Sequence, residues 1–349
     1  MKNLKKGIAA LLAVLMCVAL FACGGKTTPS ASPSETPSES PSPSASAPVE
    51  PAKNYKVGII QIVEHPSLDE VRTSFIAELA AKGFVDGQNI TIDYKNGQGD
   101  MTNLNTIAQG FANDKYDIIV AIATPSAQAA QAATSEIPIV FSAVTDPVDA
   151  GLIDSLEKPG ANITGTSDWI SAVDIIKLAN DLTPGFKTIG TIYNSGEANS
   201  VSTVNDLKAY AAENGLTIVE QPITNTSELQ QAAQTLSNKC DIVFIPTDNA
   251  VASAMPIAAE VFNAAKIPLY VGADSMVTDG GFASYGVNYT NLGKETAAMV
   301  VDVLGGKAPA ELPARAIPVT DIYINSVTAA ILGVTIPEEI LNNAKIVGE

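Results

Sequence analysis

The chain has 349 residues, of which 37 are acidic and 20 basic, so its formal net charge is −17. A chain this acidic repels nucleic-acid phosphates and anionic lipid headgroups, which argues against both as partners recognised by charge. Of its three cysteines, two fall within the first 25 residues and the third is Cys240. The body of the chain therefore lacks a zinc-ligand pattern and a cysteine pair for a disulfide, and we expect neither a metal nor a cofactor.

The N-terminus has the pattern of a secretion signal. Basic residues precede an apolar run over residues 8–22, which is shorter than the ~20 residues of a membrane span. The run ends in the letters LFAC, which resemble the lipobox of bacterial lipoproteins, with Cys23 as the residue that becomes lipidated. We expect a signal peptide over residues 1–22 and an extracytoplasmic protein anchored by lipid. The alternative is a retained single-span anchor.

Residues 23–52 begin with the predicted lipidation site, Cys23. The rest of this range is rich in serine, proline, threonine and glutamate. Such a segment has too few large apolar side chains to offset the entropy of an ordered chain. Its prolines favour extended conformations. We therefore expect a disordered tether that holds the rest of the protein away from the membrane surface.

The remaining sequence alternates predicted strands and helices, and it does so twice. Each copy begins and ends with a predicted strand, and strands and helices alternate between. In chain order, the segments of the first copy are YKVGIIQIVEHP, LDEVRTSFIAELAAKGF, QNITIDYKN, DMTNLNTIAQGFAND, YDIIVAIAT, PSAQAAQAATSE and IPIVFSAVTDP. The second consists of KTIGTIYNSGE, NSVSTVNDLKAYAAENGL, TIVEQPI, TSELQQAAQTLSNK, CDIVFIPTDN, VASAMPIAAEVFNAAK and IPLYVGAD. Landmark residues recur at matching places: Gly58 and Gly190, Gly83 and Gly215, Asp117 and Asp241.

This pattern predicts the fold class. Strands and helices alternating at these lengths form right-handed βαβ units with a parallel sheet, and a repeat of this size indicates a duplicated lobe rather than a solenoid. We therefore expect an α/β protein with two doubly wound parallel-sheet lobes joined by a hinge. One lobe would contain residues 53–166 and 288–318, and the other residues 167–287 and 319–349.

Ligands of open α/β sheets bind beyond the carboxyl ends of the strands, and two lobes that face each other would bring these ends to one cleft. The polar residues that follow the predicted strands are therefore the candidate ligand contacts. They are His65, Thr124, Ser126, Asp146, Asp168, Asn194, Glu197, Ser200, Asp248, Asn249 and Asp274. Strand ends also carry polar residues as caps and turns, and part of the set has that explanation.

The stretch Thr124-Pro125-Ser126 lies between a predicted strand and a predicted helix. It is either an ordinary helix start with proline in the first turn or an anion site. In the second case free N–H groups, the helix dipole and two hydroxyls would bind a carboxylate. The aspartates of the set would then supply the opposite pole for an ammonium group, although turn chemistry explains Asp146 and Asp248 equally well.

An enzymatic function is not predicted. His65 is the only histidine, and it has no serine, cysteine or metal partner at a recognisable spacing. No phosphate-binding loop, nucleophile elbow or metalloprotease motif occurs in the body of the chain. His65 is instead expected either in a pocket wall or in loop packing. Beyond His65, the aromatic candidates for the cleft are Phe141, Trp169, Tyr193 and Tyr285.

Seven ordered segments over residues 55–343 resemble the substrate-binding lipoproteins of ABC transporters, of the tryptophan/tyrosine-binding type. They are IIQIVEHPSLD, AIATPSAQAA, TDPVDAGLI, NITGTSD, IYNSGEANS, PTDNAV and IYINSVTAAILGVTIPEEIL. The resemblance implies a type I periplasmic-binding-protein fold and delivery of a small molecule to a permease and its ATPase. It implies ligand contacts at Thr124, Ser126, Asp146, Asp168, Asn194, Glu197 and Ser200, and at Asp248, Asn249 and Asp274 from the far lobe.

The leading hypothesis is an importer component that acts as a monomer and binds an aromatic or branched amino acid. The alternatives are a lipoprotein that senses a small molecule without transport, and an importer component for a sugar or nucleoside. A surface hydrolase is disfavoured because no nucleophile and base pair is present.

Overall fold

The computed structural model describes residues 53–348, apart from the side chain of Thr320. The predicted signal peptide, the lipidation site Cys23 and the tether lie outside these residues. The strands are β1 (Tyr55–Gln61), β2 (Ile90–Asn96), β3 (Ile118–Ile122), β4 (Ile139–Ser142), β5 (Ile163–Ser167), β6 (Thr188–Asn194), β7 (Thr217–Ile223), β8 (Ile242–Ile245), β9 (Leu269–Val271), β10 (Ala283–Val287), β11 (Arg315–Ala316), β12 (Val319–Asn325) and β13 (Ala344–Val347).

Helices connect most of these strands. They are α1 (Pro66–Ala81), α2 (Met101–Asn113), α3 (Thr124–Ala133), α4 (Ala172–Leu182), α5 (Ala198–Glu213), α6 (Leu229–Leu236), α7 (Asn249–Ala252), α8 (Met255–Ala265), α9 (Asp274–Thr278), α10 (Tyr289–Leu304), α11 (Ser326–Leu332) and α12 (Glu338–Leu341). Short 3-10 helices lie at Thr226–Glu228 and Pro309–Glu311. Within residues 53–348, none of the helices combines the length and the apolar character that crossing a membrane requires.

The strands form two separate sheets. The first has the order β11-β5-β4-β3-β1-β2, and the second has the order β13-β12-β10-β9-β8-β6-β7. Neighbouring strands are parallel except β10 and β12, which pair antiparallel. The series β2-β1-β3-β4 of the first sheet corresponds to β7-β6-β8-β9 of the second. The prediction of two parallel-sheet lobes is therefore confirmed, and the repeat in the sequence corresponds to one half of each sheet.

The chain passes between the lobes three times. It leaves the first sheet after β5, returns after β10 through α10, which packs against α1, and crosses again between β11 and β12. Gly293 allows the close approach of α10 to α1, because a Cβ atom at this position would lie 2.5 Å from the carbonyl oxygen of Val71. Each lobe therefore contains segments that are distant in sequence.

The repeated landmarks have matching structural causes. A Cβ atom at Gly58 would lie 2.7 Å from the ring of Phe111, and one at Gly190 would lie 2.8 Å from Sγ of Cys240. In each lobe, a side chain from outside the sheet presses on the first strand at the same place. Glycine is required there because no side chain fits between the strand and the layer beneath it.

The matching aspartates both stabilise the start of the first strand of their lobe. The Asp117 carboxylate accepts a hydrogen bond from the backbone N–H of Lys56 at 2.8 Å. The Asp241 carboxylate accepts hydrogen bonds from the backbone N–H groups of Lys187 and Thr188, both at 2.8 Å. These bonds hold the pKa of Asp241 below its usual range, since they favour the charged carboxylate.

Candidate functional site

The carboxyl ends of the two sheets face each other across a small enclosed cavity. Its wall consists of His65, Leu68, Thr124, Ala143, Thr145, Asp168, Asn199, Thr247, Asp248, Asn249, Ala252, Ala273, Met276 and Tyr289. Its volume is about 10 Å³, which is room for about one water molecule. Both lobes contribute to the wall, so the cavity lies in the cleft that the strand-end argument predicts.

The strand order of the first sheet determines the order in which side chains of the first lobe lie along the cavity. Reading across β5, β4, β3 and β1, the residues that follow the strands are Asp168, Thr145, Thr124 and His65. Asp168 and His65 therefore lie at opposite ends of this row, with the two threonines between them. Neighbouring strands are about 4.8 Å apart, so the row is long enough to contact both ends of an elongated small molecule.

The start of α3 provides hydrogen-bond donors that no group within residues 53–348 uses. Ala123 links β3 to the helix with a φ of 75°, a left-handed conformation that is uncommon for alanine. The hydroxyls of Thr124 and Ser126 are buried and have no hydrogen-bond partner in the described part of the chain. Thr124 lines the cavity, whereas Ser126 is not part of its wall. A helix start with free donors is suited to an anion.

Asp168 is a buried carboxylate at the other end of the row. Its Oδ1 accepts a hydrogen bond from the Thr145 hydroxyl at 3.2 Å, and its Oδ2 accepts one from the Tyr289 hydroxyl at 3.4 Å. Burial raises the pKa of Asp168 to about 6. Since no cation pairs with Asp168 among the described residues, a ligand cation would stabilise its charged form.

Five of the predicted residues form one buried network in the second lobe. Asp248 accepts hydrogen bonds from the Asn194 N–H at 2.6 Å, from the Ser200 hydroxyl at 2.7 Å and from the Val251 N–H at 2.9 Å. Glu197 accepts hydrogen bonds from the side-chain amide of Asn249 and from the first N–H groups of α7. Burial raises the pKa of both carboxyls, and the charge of Asp248 raises that of Glu197 further.

Of this network, Asp248 and Asn249 line the cavity, whereas Asn194, Glu197 and Ser200 do not. These last three hold the wall in place through their hydrogen bonds to Asp248 and Asn249. Asn194 and Glu197 also line a second, larger space of about 490 Å³ between the lobes, which includes Pro125 and Ala250.

Two hydrogen bonds join the lobes at the cavity. His65 Nε2 lies 3.3 Å from Oδ1 of Asn249, and the hydroxyls of Ser67 and Ser275 lie 2.7 Å apart. Burial lowers the pKa of His65 to about 4, although the bond to Asn249 acts in the opposite direction. The imidazole is therefore neutral at pH 7. Its Nδ1 is buried without a partner.

Like Ser126, Asn194, Glu197 and Ser200, the predicted contacts Asp146 and Asp274 lie outside the cavity wall. The Asp146 carboxylate accepts hydrogen bonds from the N–H groups of Val148 and Asp149 at 3.0 and 2.9 Å, as in an ordinary turn. The Asp274 carboxylate accepts a hydrogen bond from the N–H of Ser275 at 2.9 Å, and burial raises its pKa to about 6.

The aromatic residue of the cavity is one that sequence reasoning missed. Tyr289 lines the cavity as the first residue of α10, directly after β10. Of the rings that were expected, Trp169 is 48% exposed and the Tyr193 hydroxyl donates to Glu220 at 2.8 Å. The other two, Phe141 and Tyr285, are likewise absent from the wall. The strand-end rule did not select Tyr289 because β10 follows the second repeat and was not among the predicted strands.

Comparisons with known proteins agree with this architecture. A family model described as ABC transporter substrate binding protein matches residues 56–347. The tyrosine-binding protein of Clostridioides difficile strain R20291 is 46% identical over 276 residues, which are 79% of this chain and 80% of that protein.

Two solved structures show related conformations. The structure of an ABC domain in complex with L-Trp, from Streptococcus pneumonia, is 38% identical and has a TM-score of 0.81, covering 84% of this chain and 100% of that chain. The ligand-free, open structure of a substrate-binding protein with adhesive properties from Clostridium difficile is 44% identical and has a TM-score of 0.64, covering 84% and 99%. The lobes here are therefore arranged more as in the L-Trp complex than as in the open form.

Proposed function

This chain belongs to the ABC transporter substrate-binding protein family, and we propose that it binds an aromatic amino acid between its two lobes. Proteins of this family are not enzymes; they work outside the cytoplasm with a membrane transporter. The choice of ligand is supported by two relatives, one named as a tyrosine-binding protein and one solved in complex with L-Trp.

A set of buried polar atoms that have no partner among the described residues carries this proposal. The Thr124 hydroxyl, Asn199 Oδ1 and His65 Nδ1 are all buried without a hydrogen bond, and all three residues line the cavity. A buried polar atom without a partner costs about 1–3 kcal/mol. Such atoms gathered around one cavity indicate that a ligand supplies the missing bonds.

The order of these groups fits a zwitterion. The start of α3, with the Thr124 hydroxyl, would donate to the α-carboxylate. The Asp168 carboxylate would accept hydrogen bonds from the α-ammonium, and such charge-assisted bonds are about twice as strong as neutral ones. Thr145 lies between them and already donates to Asp168. The side chain of the ligand would then extend along the row towards His65.

Ligand entry requires the lobes to separate. A cavity of about 10 Å³ accepts a water molecule but not an amino acid, so the lobes and the wall must move apart for binding. Rotation about the three crossings between the lobes is the hinge motion that this architecture allows. The bonds from His65 to Asn249 and from Ser67 to Ser275 would break on opening and form again on closure.

The test uses tag-free protein that has been unfolded and refolded to remove any ligand it carried. Binding of each amino acid is then measured by the shift in melting temperature and by calorimetry. A ligand at 100 times its Kd should stabilise the protein by about 2.7 kcal/mol. Sugars and nucleosides belong in the same screen, and a response to one of them but to no amino acid would contradict the proposal.

A matched pair of variants tests the site itself. Thr124→Val removes the cavity hydroxyl at constant shape and should weaken binding at least about tenfold, as expected for a lost bond to a charged group. Thr191→Val is the control, since the Thr191 hydroxyl is also buried without a partner but does not line the cavity. An equal effect of the two changes would contradict the assignment of Thr124.

We further propose that Cys23 carries a lipid that anchors the protein to the cell membrane, and that the protein acts as a monomer. The anchor is supported by the sequence alone, namely the basic segment, the apolar run and the LFAC motif. Cys23→Ser should move the protein from the membrane fraction to the soluble fraction of cells. Retention of the variant in the membrane would favour an uncleaved anchor instead.

A further inference from the structure

Glu197 fixes the orientation of the Asn249 side-chain amide. Both Glu197 oxygens accept backbone N–H groups, that of Asn249 at 3.1 Å and that of Ala250 at 3.1 Å. The Nδ2 of Asn249 also donates a hydrogen bond to this carboxyl group, so Glu197 holds the amide from its nitrogen end. The other end of the amide, Oδ1, therefore faces His65.

This orientation determines which nitrogen of His65 carries the proton. Oδ1 of Asn249 is an acceptor, so the His65 Nε2 that lies 3.3 Å from it must be the donor. A neutral imidazole has one N–H and one bare nitrogen. Nδ1 is consequently a bare acceptor, and it is buried without a partner. No donor among residues 53–348 completes this site, so a ligand can supply it.

The position of His65 indicates which part of a ligand supplies that donor. Asp168 lies at the far end of the row of strand-end residues, with Thr145 and Thr124 between it and His65. If Asp168 and Thr124 bind the ammonium and the carboxylate, as in the proposed function on which this inference rests, the side chain of the ligand is the part that approaches His65.

We propose that Nδ1 of His65 accepts a hydrogen bond from an O–H or N–H group on the ring of the ligand, and that the site thereby selects aromatic amino acids with such a donor. Tyrosine and tryptophan have one, and phenylalanine does not. Glu197 is a positioning residue in this scheme, since it acts on the ligand only through Asn249 and His65. A site built to bond a ligand hydroxyl rejects the analogue that lacks it far more strongly than a site that loses one methylene.

The first test is a ratio of affinities by calorimetry. The unmodified protein should bind tyrosine at least tenfold more tightly than phenylalanine, and tryptophan more tightly than its benzothienyl analogue, which replaces the N–H by sulfur. In His65→Leu both ratios should fall to about two or less. Loss of the bond between His65 and Asn249 weakens the binding of all ligands alike and leaves the affinity ratios unchanged. A fall in the ratios therefore shows that His65 selects the ligand and does not only support the closed structure.

The second test needs no substitution. His65 is the only histidine, so nitrogen NMR of the tag-free, 15N-labelled protein reports on this ring alone. With tyrosine bound, Nε2 should carry the proton, and Nδ1 should show the shift of a hydrogen-bonded acceptor that is absent with phenylalanine. A proton on Nδ1, or equal tyrosine and phenylalanine affinities in the unmodified protein, would overturn the inference while leaving amino-acid binding intact. Failure of every aromatic amino acid to bind would overturn the proposed function and this inference with it.

Discussion

The hydroxyls of Ser67 and Ser275 lie 2.7 Å apart although 208 positions separate them in the sequence. Ser67 belongs to the first turn of α1 in the first lobe, and Ser275 to the first turn of α9 in the second. With the bond between His65 and Asn249, this contact joins the lobes across the cleft. Both bonds are present only when the lobes meet, so they stabilise the closed conformation relative to the open one.

Ser67→Ala should therefore weaken ligand binding mainly by speeding release. One hydrogen bond contributes about 0.5–1.5 kcal/mol, which corresponds to roughly a two- to tenfold increase in Kd. Stopped-flow measurement of association and dissociation would locate the change. Ser237→Ala serves as the control, because the Ser237 hydroxyl bonds the Gln234 carbonyl within one lobe. A slower association with unchanged dissociation would show that Ser67 acts on the open form.

The buried His65 should make the closed protein sensitive to acid. Its pKa is about 4 in this conformation and 6.5 for the free side chain, so between these values the unfolded chain binds a proton that the closed protein excludes. By linkage, this group stabilises the closed protein above pH 6.5 and loses that effect as the pH falls to about 4. The total is at most about 3 kcal/mol.

The measurement is urea unfolding with saturating ligand at several pH values, comparing the unmodified protein with His65→Gln. Asp168 and Asp274 act in the opposite sense, since burial raises the pKa of each to about 6. Their raised pKa values favour the closed state as the pH falls, and the comparison cancels them because both proteins retain them. Parallel curves for the two proteins would show that His65 titrates normally.

The two glycines that match between the lobes should respond alike to substitution. Gly58→Ala would press a methyl group on Phe111, and Gly190→Ala would press one on Cys240. Overpacking of this kind costs about 1–3 kcal/mol, so each variant should melt several degrees lower. Gly110→Ala is the control: Gly110 lies in α2, where a Cβ atom meets nothing within 4 Å. Alanine there should stabilise the helix by about 0.5–1 kcal/mol.

The fold could be predicted from the sequence because its signals are local and repeated. The spacing of strands and helices indicated βαβ units, and landmarks such as Gly58 and Gly190 indicated two copies. In the structure these two glycines have one physical cause. At each of them a side chain packs so close to the first strand that a Cβ atom would not fit. Local patterns of this kind do not depend on how the lobes meet.

The candidate site was predictable only in part, for a related reason. The strand-end rule located His65, Thr124 and Asp168 in the cavity wall, since strand order alone brings them together. It could not distinguish a residue that lines the cavity from one that supports it, as Glu197 supports Asn249. It also could not identify Leu68 and Met276, because apolar residues near the start of a helix resemble ordinary core.

Asp168 provides the most direct test of how the ligand is oriented. Asp168→Asn keeps the shape of the side chain and removes its charge, so it should weaken binding of an aromatic amino acid at least about tenfold through loss of the charge-assisted bond to the ammonium group. The same substitution should not weaken desamino-tyrosine, which lacks that group, and should favour it by removing a buried negative charge near its carboxylate. Calorimetry with both ligands and both proteins gives a double-mutant cycle. Its coupling energy measures the interaction between Asp168 and the ammonium group of the ligand. Equal losses for the two ligands would mean that Asp168 supports the wall through Thr145 and Tyr289, and that the ammonium group binds elsewhere.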